Sequence, residues 1–174
     1  MSRPLVLAGG VILGGHVLLE EALFTELGRL APTLSDDALV VRLATVARYH
    51  GDRGVALRGC LPRSASIPVA DLLIPTEAIT AATSWLQECC AGATGTDGHL
   101  LTQQLFGLLT ALVHRYQAHL EVLIASSDAP TIRVLAQVLA QTEAERDLFA
   151  GAEIPVELLA APWATELSDL GQDR

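Results

Sequence analysis

Residues 61–75 read LPRSASIPVADLLIP, and this stretch decides how the helices of the chain are connected. It contains three prolines and no helical period, so it predicts an extended crossover instead of a helix. Two long amphipathic segments precede the crossover, and two more follow it. Because only a few residues join the segments of each pair, the sequence predicts two antiparallel helical hairpins.

The long segments place apolar residues at spacings of three and four, which is the period of a helix with one buried face. The predicted helices cover residues 5–30, 35–59, 99–126 and 128–150, and a short helix over 76–90 lies inside the crossover of residues 60–98. Ser35 is the predicted N-cap of the second long helix, and Asp128 is that of the fourth. The sequence therefore predicts an all-α protein with four long helices.

Each long helix carries one stripe of residues that should face the core. The stripes are Ile12, His16, Leu19, Leu23, Leu27 and Leu30 on the first helix, Leu39, Leu43, Val46, His50 and Leu57 on the second, Leu101, Leu105, Leu108, Leu112, Tyr116 and His119 on the third, and Ile132, Leu135, Leu139, Glu143 and Arg146 on the fourth. Residues 1–150 are therefore predicted to form one bundle. An acidic tail or a short docking helix, with Trp163 and Leu167 as its apolar contacts, is expected over 151–174.

Composition excludes several classes of function. The 174-residue chain is 51% hydrophobic, has a formal net charge of -9, and contains neither lysine nor asparagine. Without lysine there is no Schiff base and no P-loop phosphate site. The negative charge argues against nucleic acid and anionic membrane surfaces as partners. The three cysteines form no disulfide framework, which predicts a reducing, cytoplasmic location, and the missing amino acids suggest a GC-rich bacterial genome.

Polar residues on the core-facing stripes indicate a candidate site, because burying ionisable groups is costly unless they pair or bind something. These residues are His16 and Glu20 on the first helix, His50 on the second, Tyr116 and His119 on the third, and Glu143 and Arg146 on the fourth. Partners within a helix are three or four residues apart and share a face. Four facing helices would bring all of them into one interior.

This arrangement resembles the ferritin-like superfamily, which implies an antiparallel four-helix bundle with a long crossover. In its di-metal members, two helices each supply a Glu and the other two supply a Glu-x-x-His pair. Glu20 matches the lone Glu of the first helix. The second helix keeps His50 but has Ala47 in the Glu position. The resemblance covers residues 5–150 and is closer in architecture than in motif.

The fourth helix and the third helix also depart from the di-metal pattern. On the fourth helix Glu143 is kept, and Arg146 replaces the His. The third helix offers Tyr116 or His119 instead of Glu. Because a guanidinium cannot ligate a metal, the resemblance leaves two states of the site open.

In the first state, Fe or another divalent metal is bound by Glu20, His50, His119 and Glu143. In the second state no metal is bound, and Glu143 pairs with Arg146 in a polar pocket. In either state His50, His119, Glu143 and Tyr116 are the candidate catalytic residues. His16 and Arg146 are the candidate contacts to substrate.

Two functions from different classes fit these features. One is a small tailoring enzyme, an oxygenase or a metal-free acid–base enzyme, that acts on a hydrophobic small molecule inside the bundle. The other is a non-catalytic bundle that binds a ligand or forms a homodimer. The outward positions of Val40, Ala44, Val134 and Val138 suggest a face for such a dimer. The pairs Gly9–Gly10 and Gly14–Gly15 suggest close packing against the first helix.

Overall fold

The computed structural model describes residues 5–63, 65, 67–93, 98–125 and 127–150, with the side chains of 5–8, 98 and 99 excepted. The elements are α1 (Leu5–Leu30), a 3₁₀ turn (Ala31–Thr33), α2 (Asp37–Gly59), α3 (Val69–Leu72), α4 (Glu77–Gly92), α5 (Gly98–Val122) and α6 (Ala129–Asp147). The prediction of an all-α protein is confirmed over this part of the chain. The predicted tail contacts Trp163 and Leu167 lie outside the described residues.

The helices α1 and α2 form the predicted antiparallel hairpin. A Cβ atom on Gly51 would lie 3.1 Å from the ring of Phe24, whereas one on Gly54 would lie 3.6 Å from Cβ of Glu20. Later positions of α2 therefore meet earlier positions of α1. Helices α2 and α6 are also antiparallel, because Arg42 lies 5.9 Å from the centre of the ring of Phe149, which follows α6, whereas the later residue His50 contacts the earlier residue Glu145.

The crossover is more structured than the sequence predicts. Its proline-rich part contains the single turn of α3, and α4 then lies against α1. A hydrogen bond of 3.4 Å joins Nε2 of Gln87 to Oε1 of Glu26, and a Cβ on Gly15 would lie 3.4 Å from Ile79. The earlier residue of α1, Gly15, meets the earlier residue of α4, Ile79, and the later residue, Glu26, meets the later one, Gln87. Helix α4 therefore runs parallel to α1.

Several helix ends differ from their predicted positions. The N-cap of α2 is Asp36 and not Ser35, because Oδ1 of Asp36 accepts hydrogen bonds from the N–H groups of Ala38 and Leu39 at 2.9 and 3.2 Å. Helix α5 ends at Val122, four residues before the predicted end. Asp128 occupies the predicted N-cap position of α6, but its carboxylate accepts from the N–H of Ile124 in the preceding loop at 2.9 Å and not from the first turn of the helix.

The predicted core stripes of α2 and α5 are buried throughout, and those of α1 are buried except at Ile12, which is half-buried. The predicted stripe of α6 is buried at Leu135, and its other members, Ile132, Leu139, Glu143 and Arg146, are half-buried. The buried residues of α6 are Leu135, Val138, Thr142 and Glu145. Val138 therefore belongs to the core and not to an outward face. Among the described helices, none is both long and apolar enough to cross a membrane.

Candidate functional site

Side chains from α1, α2, α5 and α6 meet in one buried group, which we call the ion cluster. Its members are Glu20, His50, Arg53, Tyr116 and Glu145, and each is at most 3% exposed. They reach one another because each lies on the core-facing side of its helix. The cluster therefore takes two carboxylates, one imidazole, one guanidinium and one phenol out of water.

Glu20 is the acceptor at the centre of the ion cluster. Nδ1 of His50 donates to its Oε2 at 2.6 Å, and Nε of Arg53 donates to the same oxygen at 3.2 Å. The hydroxyl of Tyr116 donates to the other oxygen, Oε1. Three donors on two helices thus fix the carboxylate of a third.

Glu145 closes the cluster from α6. Its Oε1 lies 3.0 Å from Nε2 of His50, and its Oε2 lies 2.6 Å from Nη2 of Arg53. These distances are those of ion pairs, and hydrogen bonding to Glu145 contributes to the raised pKa values of His50 and Arg53. Nη1 of Arg53 is buried without a hydrogen-bond partner among the described residues. Glu145 is therefore held in the cluster by its contacts with His50 and Arg53.

The opposite charges of the ion cluster stabilise the ionised forms of Glu20 and His50. Burial raises the pKa of Glu20, but His50, Arg53 and Tyr116 lower it by more, so its pKa lies below the usual value of a carboxyl group. Burial lowers the pKa of His50, but Glu20 and Glu145 raise it by more, and the net shift is upward. His50 between two carboxylates is therefore an imidazolium, and two negative charges face two positive ones.

A second polar group, the histidine pair, lies beside the ion cluster between α1 and α5. Nε of Arg115 donates to Nδ1 of His16 at 2.8 Å, and Nε2 of His16 lies 2.8 Å from Nδ1 of His119. Because Nδ1 of His16 is an acceptor, its proton is on Nε2, which donates to His119. The ring of Tyr116 meets His16 edge to face at 4.9 Å and joins the two groups.

The histidine pair is electrically unlike the ion cluster. Burial, Arg115 and His119 together hold the pKa of His16 well below its usual value, and burial with Arg115 lowers the pKa of His119 to about 4. Both imidazoles are therefore neutral at pH 7. Burial also lowers the pKa of Arg115 to about 10. No carboxylate of the described residues lies within ion-pair distance of this guanidinium.

The structure separates the predicted site residues into two sets. Glu20, His50 and Tyr116 belong to the ion cluster, and His16 and His119 form the histidine pair. The prediction that His50 lies near Glu20 is confirmed.

Glu143 and Arg146 lie elsewhere, and their predicted pairing in the interior is wrong. Glu143 accepts from Gln117 at the surface at 3.4 Å, and Arg146 pairs with Asp147 at 2.9 Å. The reason is the rotation of α6 about its own axis, which turns Glu145 toward the core and leaves Glu143 half-buried at the boundary with solvent.

Three buried charged residues of these two groups are not indicated by the sequence pattern: Arg53, Arg115 and Glu145. A signal for Arg53 exists, since it lies three residues after His50 and four before Leu57 on the stripe of α2. Glu145 likewise continues the spacing from Leu135 through Val138. Charged side chains are ordinarily exposed, so only their contacts identify these residues as buried.

The residues of the ion cluster do not fit a divalent metal as they stand. Both nitrogens of His50 face carboxylates at 2.6 and 3.0 Å, so neither offers a lone pair. The guanidinium of Arg53 lies among the remaining donors and cannot ligate. His119 is bonded to His16, and Glu143 is remote from both. Within the described ranges, no group of three His, Cys, Asp or Glu residues is arranged to hold a metal.

Among the grooves on the surface of the described residues, two lie away from the ion cluster. One, of about 260 Å³, lies between α4 and α5 beside Trp85 and Leu101. The other, of about 520 Å³, lies on the outer side of α1 and α2 beside Phe24 and Val55. Comparisons with protein-family models, with curated proteins and with solved structures gave no match.

Proposed function

We propose that the protein is a metal-independent, ferritin-like four-helix bundle whose role is to associate with a second copy of itself. The antiparallel contacts of α1 with α2 and of α2 with α6, together with the long crossover, support this architecture. The ion cluster supports a structural role for the interior, because its charges are balanced and its members are closed to solvent. Such buried polar groups favour one packing arrangement over others.

The observation that carries the proposal is the outer face of α1 and α2, which we call the α1–α2 face. It consists of Phe24, Arg48, Tyr49, Asp52 and Val55. Phe24 is 50% exposed, Tyr49 42% and Val55 74%. Phe24 and Val55 line the groove, and the ring of Tyr49 lies 5.7 Å from Cζ of Arg48, which also lines it. Large apolar side chains that are exposed beside a groove are typical of a protein–protein contact.

The α1–α2 face carries charges of both signs, so it can be complementary to the same face of a second copy. Arg48 and Asp52 are four residues apart on one side of α2, and neither forms an ion pair within the described residues. If two copies of α2 cross antiparallel about a two-fold axis, Arg48 lies opposite Asp52 of the partner subunit, and the contact is repeated by symmetry. A second copy therefore suits this face better than a partner of one charge sign.

A charge exchange tests the dimer. Arg48→Asp would place acidic groups opposite one another and separate the protomers, and adding Asp52→Arg would restore both ion pairs. Light scattering after size-exclusion chromatography should give twice the 18.4 kDa of one chain for the wild type and the double variant, and one chain for the single variant.

The matched control is Arg133→Asp, which changes the same charge at an exposed position of α6 and should leave the dimer intact. A wild-type protein with the mass of one chain would overturn the proposal and leave the face to a different partner. A double variant that stays monomeric would exclude the antiparallel contact.

A second candidate function, a tailoring enzyme for a hydrophobic small molecule, is favoured by the histidine pair. Arg115 is a buried cation without a carboxylate partner among the described residues, so it can hold an anionic group of a substrate. His16 would position the guanidinium by accepting from its Nε, and Arg115 would orient the ligand. A substrate of this kind joins a hydrophobic body to one anionic end.

A further inference from the structure

We propose that Arg115 is the receptor of a planar, monovalent oxyanion, such as a carboxylate or nitrate, which its two Nη groups bind where α1, α4 and α5 meet. The anion would lie at the site of the second candidate function, so its place rests on that proposal, but its binding needs no reaction there. Neither the α1–α2 face nor the ion cluster takes part, so the number of subunits does not affect the binding.

The hydrogen bonds of Arg115 leave most of its donors unused. A guanidinium carries five N–H groups in one plane. Among the described residues, only Nε of Arg115 donates a hydrogen bond, to Nδ1 of His16 at 2.8 Å, although the side chain is only 3% exposed. The Nη1–Nη2 edge of a guanidinium can bind a planar oxyanion through two parallel hydrogen bonds. His16 therefore holds Arg115 in place while leaving that edge for a ligand.

The neighbouring imidazoles leave this site with a single positive charge. Nδ1 of His16 accepts from Arg115, so it carries no proton, and Nε2 of His16 then donates to Nδ1 of His119 at 2.8 Å. Since each ring has one accepting nitrogen, both are neutral. No carboxylate in the described part of the chain pairs with Arg115. A monovalent anion balances this charge, whereas a divalent one would leave a buried negative charge.

Helix α4 meets α1 and α5 at the guanidinium. A Cβ atom on Gly15 of α1 would lie 2.8 Å from Nη2 of Arg115 and 3.4 Å from Cδ1 of Ile79, which belongs to the first turn of α4. A helix N-terminus favours a nearby negative charge. Glu77, the acidic residue of that turn, is exposed and forms no ion pair with Arg115. An anion bound here would therefore tie α4 to the bundle.

Gly15 leaves room for Nη2 of Arg115. With alanine at this position, the guanidinium would have to move, because 2.8 Å is closer than a Cβ atom and a nitrogen pack. The displaced atom is the end of a flexible side chain, and alanine favours the helix. Gly15→Ala should therefore keep the fold and shift the receptor, whereas Arg115→Met removes it.

The test follows the Tm by circular dichroism while sodium nitrate or sodium acetate replaces sodium sulfate at constant ionic strength. Because such salts also act on the surface of any protein, Arg115→Met measures that background. Relative to it, the Tm of the wild type should rise by about 3–6 °C for each tenfold increase in nitrate or acetate above the Kd. Sodium decanoate, in the same series, distinguishes a free small anion from the carboxylate end of a larger ligand.

Two alanine variants of α1 locate the site. Gly15→Ala should raise the Kd for nitrate and acetate by about tenfold or more, since one hydrogen bond to a charged group is lost. Gly28→Ala is the matched control, because a Cβ atom there has nothing within 4 Å, and it should respond as the wild type does. This pair decides the outcome even where Arg115→Met does not fold.

Equal Tm shifts in the wild type and Arg115→Met, or equal Kd values in Gly15→Ala and Gly28→Ala, would overturn the inference. It would also be wrong if decanoate alone bound through Arg115, because the oxyanion would then not suffice, although the enzyme candidate would stand. Binding of nitrate and acetate through Arg115 without binding of decanoate would support the anion receptor and exclude that enzyme.

Discussion

Among the individual residues, Arg115 is the buried charge whose surroundings compensate it least. It is 3% exposed, donates to His16, and has no carboxylate partner in the described part of the chain. A buried cation without a counter-charge is costly. If an anionic substrate supplies that charge, decanoate should raise the Tm of the wild type but not of Arg115→Met, and uncharged decanol should raise neither.

The control for this prediction is Arg133→Met, which removes an exposed guanidinium and should keep the response to decanoate. An equal Tm shift with decanol, or in Arg115→Met, would place the ligand away from the histidine pair. No shift in the wild type would remove the support for an enzyme of this kind. Thermal unfolding followed by circular dichroism measures all three variants.

At the scale of elements, the contact between α1 and the crossover depends on Gly14. A Cβ atom there would lie 1.7 Å from the carbonyl oxygen of Leu72, and this is backbone that cannot rotate away. Alanine is favoured over glycine in a helix by about 1 kcal/mol, but overpacking ordinarily costs about 1–3 kcal/mol. We therefore expect Gly14→Ala to lower the free energy of unfolding, measured by urea denaturation.

Gly9 provides the matched control on the same helix. A Cβ atom on Gly9 has nothing within 4 Å, so Gly9→Ala should gain the helix propensity of alanine without a clash. Opposite signs for the two substitutions would confirm that the crossover lies against α1 at Gly14. The same sign in both variants would contradict that contact.

At the scale of the whole molecule, the buried histidines should make stability depend on pH. His16 and His119 are neutral when folded, with the pKa of His119 lowered to about 4, whereas in the unfolded chain both take up protons near pH 6.5. The unfolded state then binds more protons. The free energy of unfolding should therefore fall as the pH drops from 6.5 toward 4, by roughly 1.4 kcal/mol per pH unit for each histidine.

His50 acts in the opposite direction because its pKa is raised in the folded state. Its contribution is complete below pH 6.5 and is lost as the pH rises through the raised value. Stability should therefore be greatest close to neutral pH. His119→Gln should flatten the acid side of the profile, and the exposed His114→Gln should not. Equal acid profiles for the wild type and His119→Gln would contradict the assignment of a neutral buried imidazole.

The helices themselves could be predicted because their signals are local. The range of α1 agrees with its predicted range, and proline and acidic residues mark the starts of α2 and α6 to within two residues. In the site, His16, Glu20, His50, Tyr116 and His119 could be predicted because polar residues on otherwise apolar stripes are conspicuous. Arg53 and Arg115 could not, since long cationic side chains ordinarily reach solvent.

The sequence by itself determined the helical class, the hairpin of α1 and α2 and most of the polar residues that face the interior, because helix period and turn residues act over a few positions. The tertiary structure decided the rotation of α6 and with it the choice of Glu145 over Glu143. Leu135 fits both rotations, so local periodicity does not separate them. Glu145 is selected by the positive charges of His50 and Arg53, which lie more than 90 positions earlier in the chain. Only the packed helices bring those charges within reach.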